Sequence, residues 1–299
     1  MITTDSLIIG AGLCGLTLSR KLNRPSIILE KSQGLGGRIA NRRIQNLGFD
    51  HGASFLKKDS IVCDLIDELA LNDDLIENHQ GLYLKNSMTR LPKKMAENLN
   101  IKKSTKAEKI IKSKDLWSII TDQGEEYLAK NLILTAPLPQ SLELLSKSNI
   151  NFSEELKLIK YSKGLMALVI LKENSIPDRE FSEKIHSVLP MKERDLHPQG
   201  FVIRASENFS EIFFEQKEEE VLKEIVDEFK KGFSLNVNID YQELKKWRYV
   251  SPLSSLPYPY IELDRGLYLT GDSFLYPDVR GSILGATLLA EKLKLSAGN

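Results

Sequence analysis

The feature that most constrains the fold of this chain is residues 6–15, SLIIGAGLCG, where a short apolar run meets three closely spaced glycines. The apolar residues suit a parallel strand that is buried on both faces. Gly10 permits a sharp turn, Gly12 has no side chain to block a phosphate, and Gly15 lets the following helix pack close to the strand. The same spacing also occurs in an ordinary tight turn between a strand and a helix, so the surrounding sequence decides what it means.

The surrounding sequence predicts a βαβ unit. Residues 13–23 carry leucines at helical spacing, and Asn23-Arg24-Pro25 ends the predicted helix. A second apolar strand, residues 26–29, then leads to Glu30, which lies twenty positions after Gly10. A carboxylate in this place accepts hydrogen bonds from an adenosine ribose. The sequence therefore predicts a dinucleotide site on this unit.

The composition is that of a globular protein, and it excludes several other classes. Among 299 residues, 41 Lys and Arg balance 41 Asp and Glu, so attraction to nucleic-acid phosphates is not expected. Two cysteines and four scattered histidines give neither a metal-ligand spacing nor a disulfide framework. The chain also lacks a signal-peptide pattern and an apolar run long enough to span a bilayer, so we expect a cytoplasmic protein.

A second glycine-rich stretch distinguishes between the possible dinucleotides. In a simple NAD dehydrogenase another helix would follow the second strand, but here the run GLGGR, residues 34–38, follows Glu30. Exposed backbone N–H groups beside an arginine suit a second approach to a pyrophosphate, and a flexible surface loop is the alternative. Further along, the small residues of DHGASF, residues 50–55, let a large planar ring approach the backbone.

Together these segments resemble the FAD-dependent amine oxidase superfamily, in which a GxGxxG unit is followed by an acid, a GGR turn and a D-x-G-A segment beside the flavin. Two later stretches fit this resemblance. Residues 131–140, NLILTAPLPQ, resemble the crossover at which the chain returns to the FAD domain, and residues 266–289 give a strand, Gly271-Asp272 and a closing helix. The resemblance implies that Asp272 binds ribityl hydroxyls and that the helix N-terminus near Arg280 and Gly281 faces the flavin pyrimidine.

Within that superfamily the chain is similar to renalase and the bacterial renalase-like proteins. This likeness rests on APLPQSLELL at 136–145, KKWRYVSP at 245–252 and the GDS…RGSILGA arrangement near the C-terminus. Renalases tend to carry an acid before the glycine that opens the last helix. This chain has Arg280 there, and a cation at that position is expected to meet the flavin edge or the substrate differently.

The resemblance implies a fold, a cofactor and a set of contacts to that cofactor. The fold class is α/β, with an FAD-binding Rossmann-like, doubly wound domain and an inserted α+β substrate domain whose sheet is antiparallel. The cofactor is FAD. The implied cofactor-binding residues are Gly10, Gly12, Leu13, Cys14, Gly15, Glu30, Lys31, Gly37, Arg38, His51, Gly52, Ala53, Ala107, Ala136, Gly271, Asp272, Arg280, Gly281 and Ser282.

Apolar strands and one helix predict the inserted domain. We expect a five-stranded sheet covered on one side, including strands at 164–172, 201–205, 211–216 and 241–249, and a helix at 217–231. The other face of the sheet would form the substrate cavity. The predicted boundaries are 1–78, 99–150 and 253–299 for the FAD-binding domain and 79–98 and 151–252 for the substrate domain.

Three local predictions lie outside that sheet. The pattern of residues 56–76 predicts an amphipathic helix with Ser60 as its N-cap. Residues 80–95 alternate like a strand pair that turns at Asn86-Ser87, and residues 110–128 predict a hairpin that turns at Asp122-Gln123-Gly124.

No nucleophile or metal constellation appears, which suits chemistry in which a bound flavin accepts the hydride. The catalytic residues are therefore open, and the candidates are Trp247, Arg248 and Tyr249 on the last strand of the inserted domain, with Arg280. An aromatic wall stacks a planar substrate and a guanidinium binds an anion, although the two aromatic residues also suit a plain core. His186 and His197 are possible acid–base groups, but loop histidines more often lie at the surface.

The resemblance implies an FAD-dependent oxidoreductase that oxidises a dihydronicotinamide-type substrate, an isomer of NAD(P)H, with oxygen as acceptor and peroxide as product. One alternative is a flavin amine oxidase or desaturase of another small molecule, and another is a non-catalytic FAD-binding protein. The expected partners are a small-molecule substrate and oxygen, with no nucleic acid and no membrane span.

Overall fold

The computed structural model describes residues 1–295, which form two units that are each built on one main sheet. The strands are β1 (Ile2–Ile9), β2 (Ser26–Leu29), β3 (Asn41–Ile44), β4 (Leu47–Asp50), β5 (Leu75–Asn78), β6 (Gly81–Leu84), β7 (Ile101–Lys102), β8 (Ala107–Ser113), β9 (Leu116–Thr121), β10 (Glu126–Leu134), β11 (Gly164–Leu171), β12 (Ile185–Pro190), β13 (Gly200–Ala205), β14 (Ile239–Trp247), β15 (Ile261–Asp264) and β16 (Leu267–Leu269). The α-helices are α1 (Leu13–Lys21), α2 (Ser60–Glu68), α3 (Arg90–Met95), α4 (Leu138–Lys147), α5 (Glu207–Phe213), α6 (Glu218–Lys231) and α7 (Val279–Leu295).

The first unit contains an eight-stranded, mostly parallel sheet. Its main order is β7-β2-β1-β10-β16-β15, and β9 and β8 extend it as antiparallel strands beside β10. The central strand β1 pairs in parallel with β2 and β10. Ile8 packs with α1, α2 and α7 on one face, whereas Leu7 packs with α4 and the β8–β9 pair on the other. Because both faces are covered, a continuous apolar run is stable in β1.

The second unit is an antiparallel sheet in the order β12-β13-β11-β14. Alternate residues of β11 are buried on opposite faces, which explains why the whole strand is apolar. Leu165 and Val169 pack against α5 and α6, while Leu168 and Ile170 pack toward the β3–β4 hairpin. The predicted α/β fold with an inserted antiparallel α+β unit is therefore confirmed.

The helix predicted over residues 56–76 is shorter than expected and has a different cap. Asp59, not Ser60, is the N-cap of α2, because its carboxylate accepts a hydrogen bond from the Ile61 N–H at 2.9 Å. The helix ends at Glu68, and a single 3-10 turn, Asn72–Asp74, precedes β5.

The strand pair predicted over residues 80–95 is wrong in its register and its turn. β5 and β6 form the hairpin, which turns before Gly81, and α3 occupies Arg90–Met95. Leu82 and Leu91 pack with α1 and α7 in the core of the first unit. The buried apolar side chains of residues 79–98 therefore pack in the core of the parallel-sheet unit, while Tyr83 and Asn86 contact Arg194 of the inserted unit.

In the inserted unit, the strand predicted over residues 211–216 is also wrong. The first half of this segment belongs to α5, which Ser206 caps by accepting a hydrogen bond from the Phe209 N–H, and the second half is a turn. Phe209 and Phe213 lie four residues apart and stack with ring centroids at 4.3 Å, an arrangement that supports a helix. The sheet has four strands rather than five, and it includes β12, which the sequence analysis missed.

The predicted turn at residues 122–124 does connect two antiparallel strands, β9 and β10. A further strand, β8, pairs with β9 on its other side.

No helix within residues 1–295 has the length and apolar character needed to cross a membrane. Across the same residues, no group of three or more His, Cys, Asp or Glu side chains is arranged to bind a metal ion.

Candidate functional site

A cavity of about 1560 Å³ lies at the carboxyl ends of the central parallel strands and extends to the last strand of the inserted sheet. Gly10, Glu30 and Thr135, which directly follow β1, β2 and β10, line one end of it. Trp247 and Tyr249 line the other end. In open α/β sheets this edge is where ligands bind.

The first glycine loop contains Gly10, Gly12 and Gly15. It leaves open space beside Gly12, which lines the cavity. Gly10 has φ of +112°, a conformation that disfavours any side chain. A Cβ on Gly15 would lie 2.0 Å from the Gly10 carbonyl oxygen, so this glycine permits close helix–strand packing. A Cβ on Gly12, by contrast, would meet no atom within 4 Å. Packing within the protein therefore does not require a glycine here, and Gly12 lines the cavity.

Glu30 is held in place by the backbone of the two loops beside it. Its Oε2 accepts a hydrogen bond from the Ala11 N–H, and its Oε1 accepts one from the Ser32 N–H, both at 2.8 Å. The side chain is buried but lines the cavity. Since each carboxylate oxygen can accept more than one hydrogen bond, Glu30 retains capacity for the hydroxyls of a ligand.

The second glycine stretch lies directly against the first. The Gly36 N–H donates to the Ala11 carbonyl at 2.8 Å, and Gly12 and Gly36 form a parallel bridge. Gly37 adopts φ of +57°, and a Cβ on it would lie 3.5 Å from the Cα of Gly12. The two stretches thus form adjoining walls of one cavity, as a pyrophosphate approached from two sides requires.

Arg38, which ends the second glycine stretch, contacts two segments that come later in the chain. Its Nη1 donates to Asp272 Oδ2 at 2.5 Å and to the Val250 carbonyl at 3.1 Å. Burial opposes the charge on Arg38, but the Asp272 carboxylate raises the pKa of the guanidinium above its ordinary value. The hydroxyl of Tyr161 donates to the other carboxylate oxygen at 3.0 Å. Its ring meets that of Tyr249 edge-on, with centroids at 5.7 Å.

Hydrogen bonds to the Asp50 carboxylate hold the start of the segment at residues 50–55 in place. This carboxylate is almost fully buried and accepts hydrogen bonds from Ser87 Oγ at 2.6 Å, the Met88 N–H at 2.9 Å and Asn41 Nδ2 at 2.8 Å. Ala53 follows shortly after and lines the cavity. The acid of the D-x-G-A pattern therefore supports the backbone and does not face the cavity.

His51 lies behind Trp247, which together with Tyr249 forms the aromatic wall of the cavity. Its side chain is buried, its Nδ1 has no hydrogen-bond partner, and its ring centroid lies 5.6 Å from that of Trp247. Burial, reinforced by the positive charge of Lys245, lowers the pKa of His51 from 6.5 to about 4. The imidazole is therefore neutral near pH 7.

The three residues proposed on the last strand of the inserted sheet all border the cavity but differ in their partners. Trp247 packs on His51, and Tyr249 packs on Tyr161. The Arg248 guanidinium is paired with Glu215, with Nη1 and Oε1 at 2.8 Å. The aromatic residues form the wall, while Arg248 lies at the edge of the cavity and already has a counter-ion.

Thirteen of the predicted cofactor-binding residues line the cavity: Gly10, Gly12, Leu13, Cys14, Glu30, Lys31, Gly37, Arg38, Ala53, Ala107, Ala136, Asp272 and Ser282. Six others do not contribute to its wall: Gly15, His51, Gly52, Gly271, Arg280 and Gly281. Gly15 and His51 lie directly behind wall residues, as described above.

Arg280 is turned away from the cavity. Its Nη2 lies 2.6 Å from Asp278 Oδ2, its Nη1 lies 3.6 Å from Asp59 Oδ2, and its guanidinium covers the ring of Tyr276. The expectation that this cation meets the ligand therefore has no support in the geometry. Among the histidines, His186 is exposed as expected, whereas His197 is buried beside Phe49.

The sequence analysis missed Tyr161, Asp50 as a support, and two buried arginines, Arg194 and Arg204. Tyr161 lies more than a hundred residues from Asp272, so nothing in the local sequence indicates their hydrogen bond. Arg194 follows β12, and Arg204 lies on β13, both in the inserted unit. Both side chains donate hydrogen bonds to residues 52–54. Only the folded chain brings these groups together.

The comparisons with known proteins agree with this architecture. The family described as an NAD(P)-binding Rossmann-like domain matches residues 8–69, which include both glycine stretches and Glu30. No curated protein matches the chain significantly.

Solved structures are similar over nearly the whole chain. A putative protoporphyrinogen oxidase from Exiguobacterium sp. 255-15 has a TM-score of 0.77 at 14% identity, covering 99% of this chain and 100% of its own. A putrescine oxidase bound to putrescine has a TM-score of 0.71 at 12% identity, covering 98% and 99%. A fatty acid isomerase from P. acnes that produces CLA has a TM-score of 0.71 at 11% identity, covering 97% and 98%. At these identities the similarity establishes the shared fold.

Proposed function

We propose that this protein is an FAD-dependent oxidoreductase. The observation that carries the proposal is the single cavity that runs from Glu30, past both glycine stretches, to the aromatic wall of the inserted sheet. Typical small-molecule sites enclose roughly 300–1,000 Å³, so about 1560 Å³ leaves room for a dinucleotide and a substrate together. Two of the solved structures that share the fold are named as oxidases.

The residues present fit FAD at each part of the molecule. Glu30 is placed for the adenosine ribose, and the open space at Gly12 beside the start of α1 is suited to the pyrophosphate. Asp272 faces the cavity near the ribityl position, and Ala53 offers a small surface for a planar ring. When bound, FAD supplies a two-electron acceptor, so the protein needs no nucleophile of its own.

We propose further that the substrate is a dihydronicotinamide-type dinucleotide, an isomer of NAD(P)H, and that oxygen is the final acceptor. Trp247 and Tyr249 provide flat apolar surfaces on which a pyridine ring can stack. The inserted unit contributes Lys246 and Arg248 to the cavity and no acid. Arg248 is paired with Glu215, whereas Lys246 forms no ion pair within residues 1–295 and is suited to an anionic substrate. Loss of a hydride would make the substrate ring aromatic, and FAD, when bound, would supply the acceptor for it. Oxygen would then take up the two electrons together with the proton of the hydride and one further proton from water, which gives hydrogen peroxide.

The chain's own residues position the substrate and exclude water. The T-shaped contact between Tyr161 and Tyr249 and the hydrogen bond of Tyr161 to Asp272 fix the aromatic wall relative to the first unit. Burial, reinforced by Asp272, raises the pKa of Tyr161, so its hydroxyl stays protonated and acts as a donor. This rigid wall holds a donor carbon in place, and a misplacement of about 1 Å can slow such a transfer about 100-fold.

A flavin amine oxidase is the second candidate, because one of the solved structures with this fold is a putrescine oxidase bound to putrescine. A carboxylate without a partner would bind an ammonium substrate through a charge-assisted hydrogen bond. All five acids that line the cavity already have partners: Glu30 with backbone N–H groups, Glu108 with Lys106, Glu143 with Lys147, Asp272 with Arg38, and Asp278 with Arg280. The site therefore favours an anionic or neutral planar substrate.

Anaerobic reduction of the bound cofactor separates these functions. Dihydronicotinamide isomers reduced at positions other than 4 are expected to bleach the flavin absorbance within seconds, and ordinary NADH far more slowly. The Trp247→Ala variant, which removes part of the wall, is expected to slow the bleaching, whereas the exposed Arg265→Met variant serves as the matched control. Bleaching by amines alone would establish the amine oxidase function instead, and no bleaching by any donor would favour a non-catalytic FAD protein.

We also propose a division of the chain between the two functions. The FAD-binding unit comprises residues 1–150 and 253–299, now including residues 79–98 because they pack in its core. The substrate unit comprises residues 151–252.

A further inference from the structure

Two arginines of the inserted unit lie directly behind the segment at residues 52–54. Arg204, on β13, donates through Nη2 to the Gly52 carbonyl and to Ser54 Oγ. Arg194, which ends the 3-10 turn after β12, donates through Nη2 to the Ser54 carbonyl at 2.6 Å. Ala53 lies between these contacts and lines the cavity. The two guanidinium groups therefore support the cavity wall from its rear.

The positive charge at this place exceeds the negative charge that faces it. Of the acids in residues 1–295, only Asp50 comes within ion-pair distance of either arginine, at 3.7 Å from Arg194 Nη1. That carboxylate already accepts hydrogen bonds from Ser87 and the Met88 N–H. Arg194 Nη1 and Arg204 Nε are buried without a hydrogen-bond partner. The buried Arg194 and the half-buried Arg204 thus share one occupied acid. The Arg194 guanidinium also lies over the rings of Phe55 and Tyr83, with its central carbon 4.5 and 4.7 Å from their centroids.

Burial lowers the pKa of both guanidinium groups, and the neighbouring arginine adds to this only at Arg204. Burial, together with the charge of Arg194, lowers the pKa of Arg204 to about 10. Burial also lowers the pKa of Arg194, although Asp50 opposes that effect. Both side chains remain charged near pH 7. A buried charge without full compensation destabilises a fold. Groups with strongly shifted pKa values occur more often at functional sites than elsewhere in proteins.

The same contacts orient the peptide groups of the wall. The carbonyl oxygens of Gly52 and Ser54 point to the arginines, so the N–H groups of the same two peptides, on Ala53 and Phe55, point away from them. The Ala53 N–H donates to the Arg38 carbonyl. The Phe55 N–H has no acceptor in the described part of the chain, and Phe55 lines the cavity.

We propose that Arg194 and Arg204 are positioning residues that set the electron affinity of the cofactor, by placing fixed positive charge and oriented peptide dipoles behind residues 52–55. This inference rests on the proposed function, because the group that gains negative charge on the cavity side is then the reduced flavin. Fixed charges and dipoles in a site with little water act strongly on a charge that develops near them. Protein charge close to a flavin is a recognised means of tuning its electronics.

A purely structural brace is the competing explanation, and the two predict different measurements. A brace that is lost changes stability or cofactor affinity without changing the reduction potential of the cofactor that remains bound. The Arg204→Lys variant keeps the charge and loses part of the hydrogen bonding. The Arg204→Met variant removes the charge at similar length. The Arg265→Met variant makes the same change of net charge at an exposed position whose side chain makes no contact in the described residues.

The test is the two-electron reduction potential of the bound flavin in the holoprotein, measured against a reference dye. For Arg204→Met we expect the equilibrium between oxidised and reduced flavin to shift at least tenfold toward the oxidised form, which is about 30 mV more negative. Arg204→Lys is expected to stay near the wild-type potential. Arg204→Gln, which retains a donor for the Gly52 carbonyl, is expected to match Arg204→Met and replaces it if that variant does not fold.

A potential in the charge-removing variants that moves no further than in Arg265→Met would overturn the inference. Equal shifts in Arg204→Lys and Arg204→Met would also overturn it, since geometry rather than charge would then be responsible. A wild-type protein that takes up no flavin at all contradicts the proposed function itself, and the inference falls with it.

Discussion

At the scale of single residues, the three glycines of the first loop have three different physical roles. Gly10 is required by its backbone conformation, since φ is +112°. Gly15 is required by packing, because a Cβ would lie 2.0 Å from a backbone oxygen. Gly12 has neither constraint within the protein, and we propose that the phosphates of a ligand occupy the open space beside it. This difference can be tested.

Replacing Gly12 and Gly15 separately with valine is expected to give opposite results. Gly12→Val fills the open space at the loop and should abolish FAD binding while leaving the thermal midpoint nearly unchanged. Gly15→Val forces α1 away from β1 and should destabilise the fold itself. We expect the free energy of unfolding to fall by at least the ~1–3 kcal/mol that is typical of an overpacked core. Flavin absorbance after gel filtration, together with thermal unfolding, separates the two. A Gly12→Val protein that stays fully yellow would contradict the placement of the phosphates.

His51 gives a prediction about pH. Its pKa is lowered from 6.5 to about 4 in the fold, so between these values the unfolded chain binds more protons than the folded one. Its contribution to stability is complete above about pH 6.5 and is lost as the pH falls toward 4. A shift of this size corresponds to roughly 3 kcal/mol.

The pH dependence is measured by urea unfolding at several pH values, in the wild type and in His51→Gln. The free energy of unfolding of the wild type should fall more steeply between pH 6.5 and 4 than that of the variant. Parallel curves would show that folding does not lower the pKa of His51.

At the scale of elements, Arg280 illustrates how a sequence position can suggest a role that the local structure does not support. It lies in the first turn of α7, where the sequence resemblance places the cofactor. The structure pairs its guanidinium with Asp278 and Asp59 instead. We expect Arg280→Gln to lower stability by up to about 1 kcal/mol, as for a partly exposed ion pair, and to leave the ranking of electron donors unchanged. A changed ranking in anaerobic reduction would return Arg280 to the substrate site.

Elements with strong periodicity could be predicted from the sequence, whereas those set by long-range contacts could not. β1, α1 and β2 follow one another within thirty residues, and each constrains the next; their prediction is confirmed. Residues 211–216 have a strand-like composition, but the Ser206 cap and the stacking of Phe209 on Phe213 make the first half of them helical. Arg194 and Arg204 meet residues 52–54 across more than 130 positions, a distance at which sequence patterns carry no signal.

At the scale of the whole molecule, one cavity lies between two units that different parts of the chain supply. Arg38 joins them, because it binds Asp272 of the first unit and the Val250 carbonyl at the exit of the inserted unit. The aromatic wall of the inserted unit therefore faces the glycine loops at a fixed distance. This arrangement is what a dinucleotide and a second planar molecule require, and it underlies the proposed oxidoreductase.

The central claim is that this cavity holds one non-covalently bound FAD per chain. Burial raises the pKa of the Cys14 thiol to about 12, so this cavity-lining cysteine stays protonated near neutral pH. The most direct test is the absorption spectrum of the purified protein, followed by that of the supernatant after acid precipitation. We predict a yellow protein that releases one equivalent of FAD into the supernatant. A colourless protein that takes up no added FAD would contradict the account.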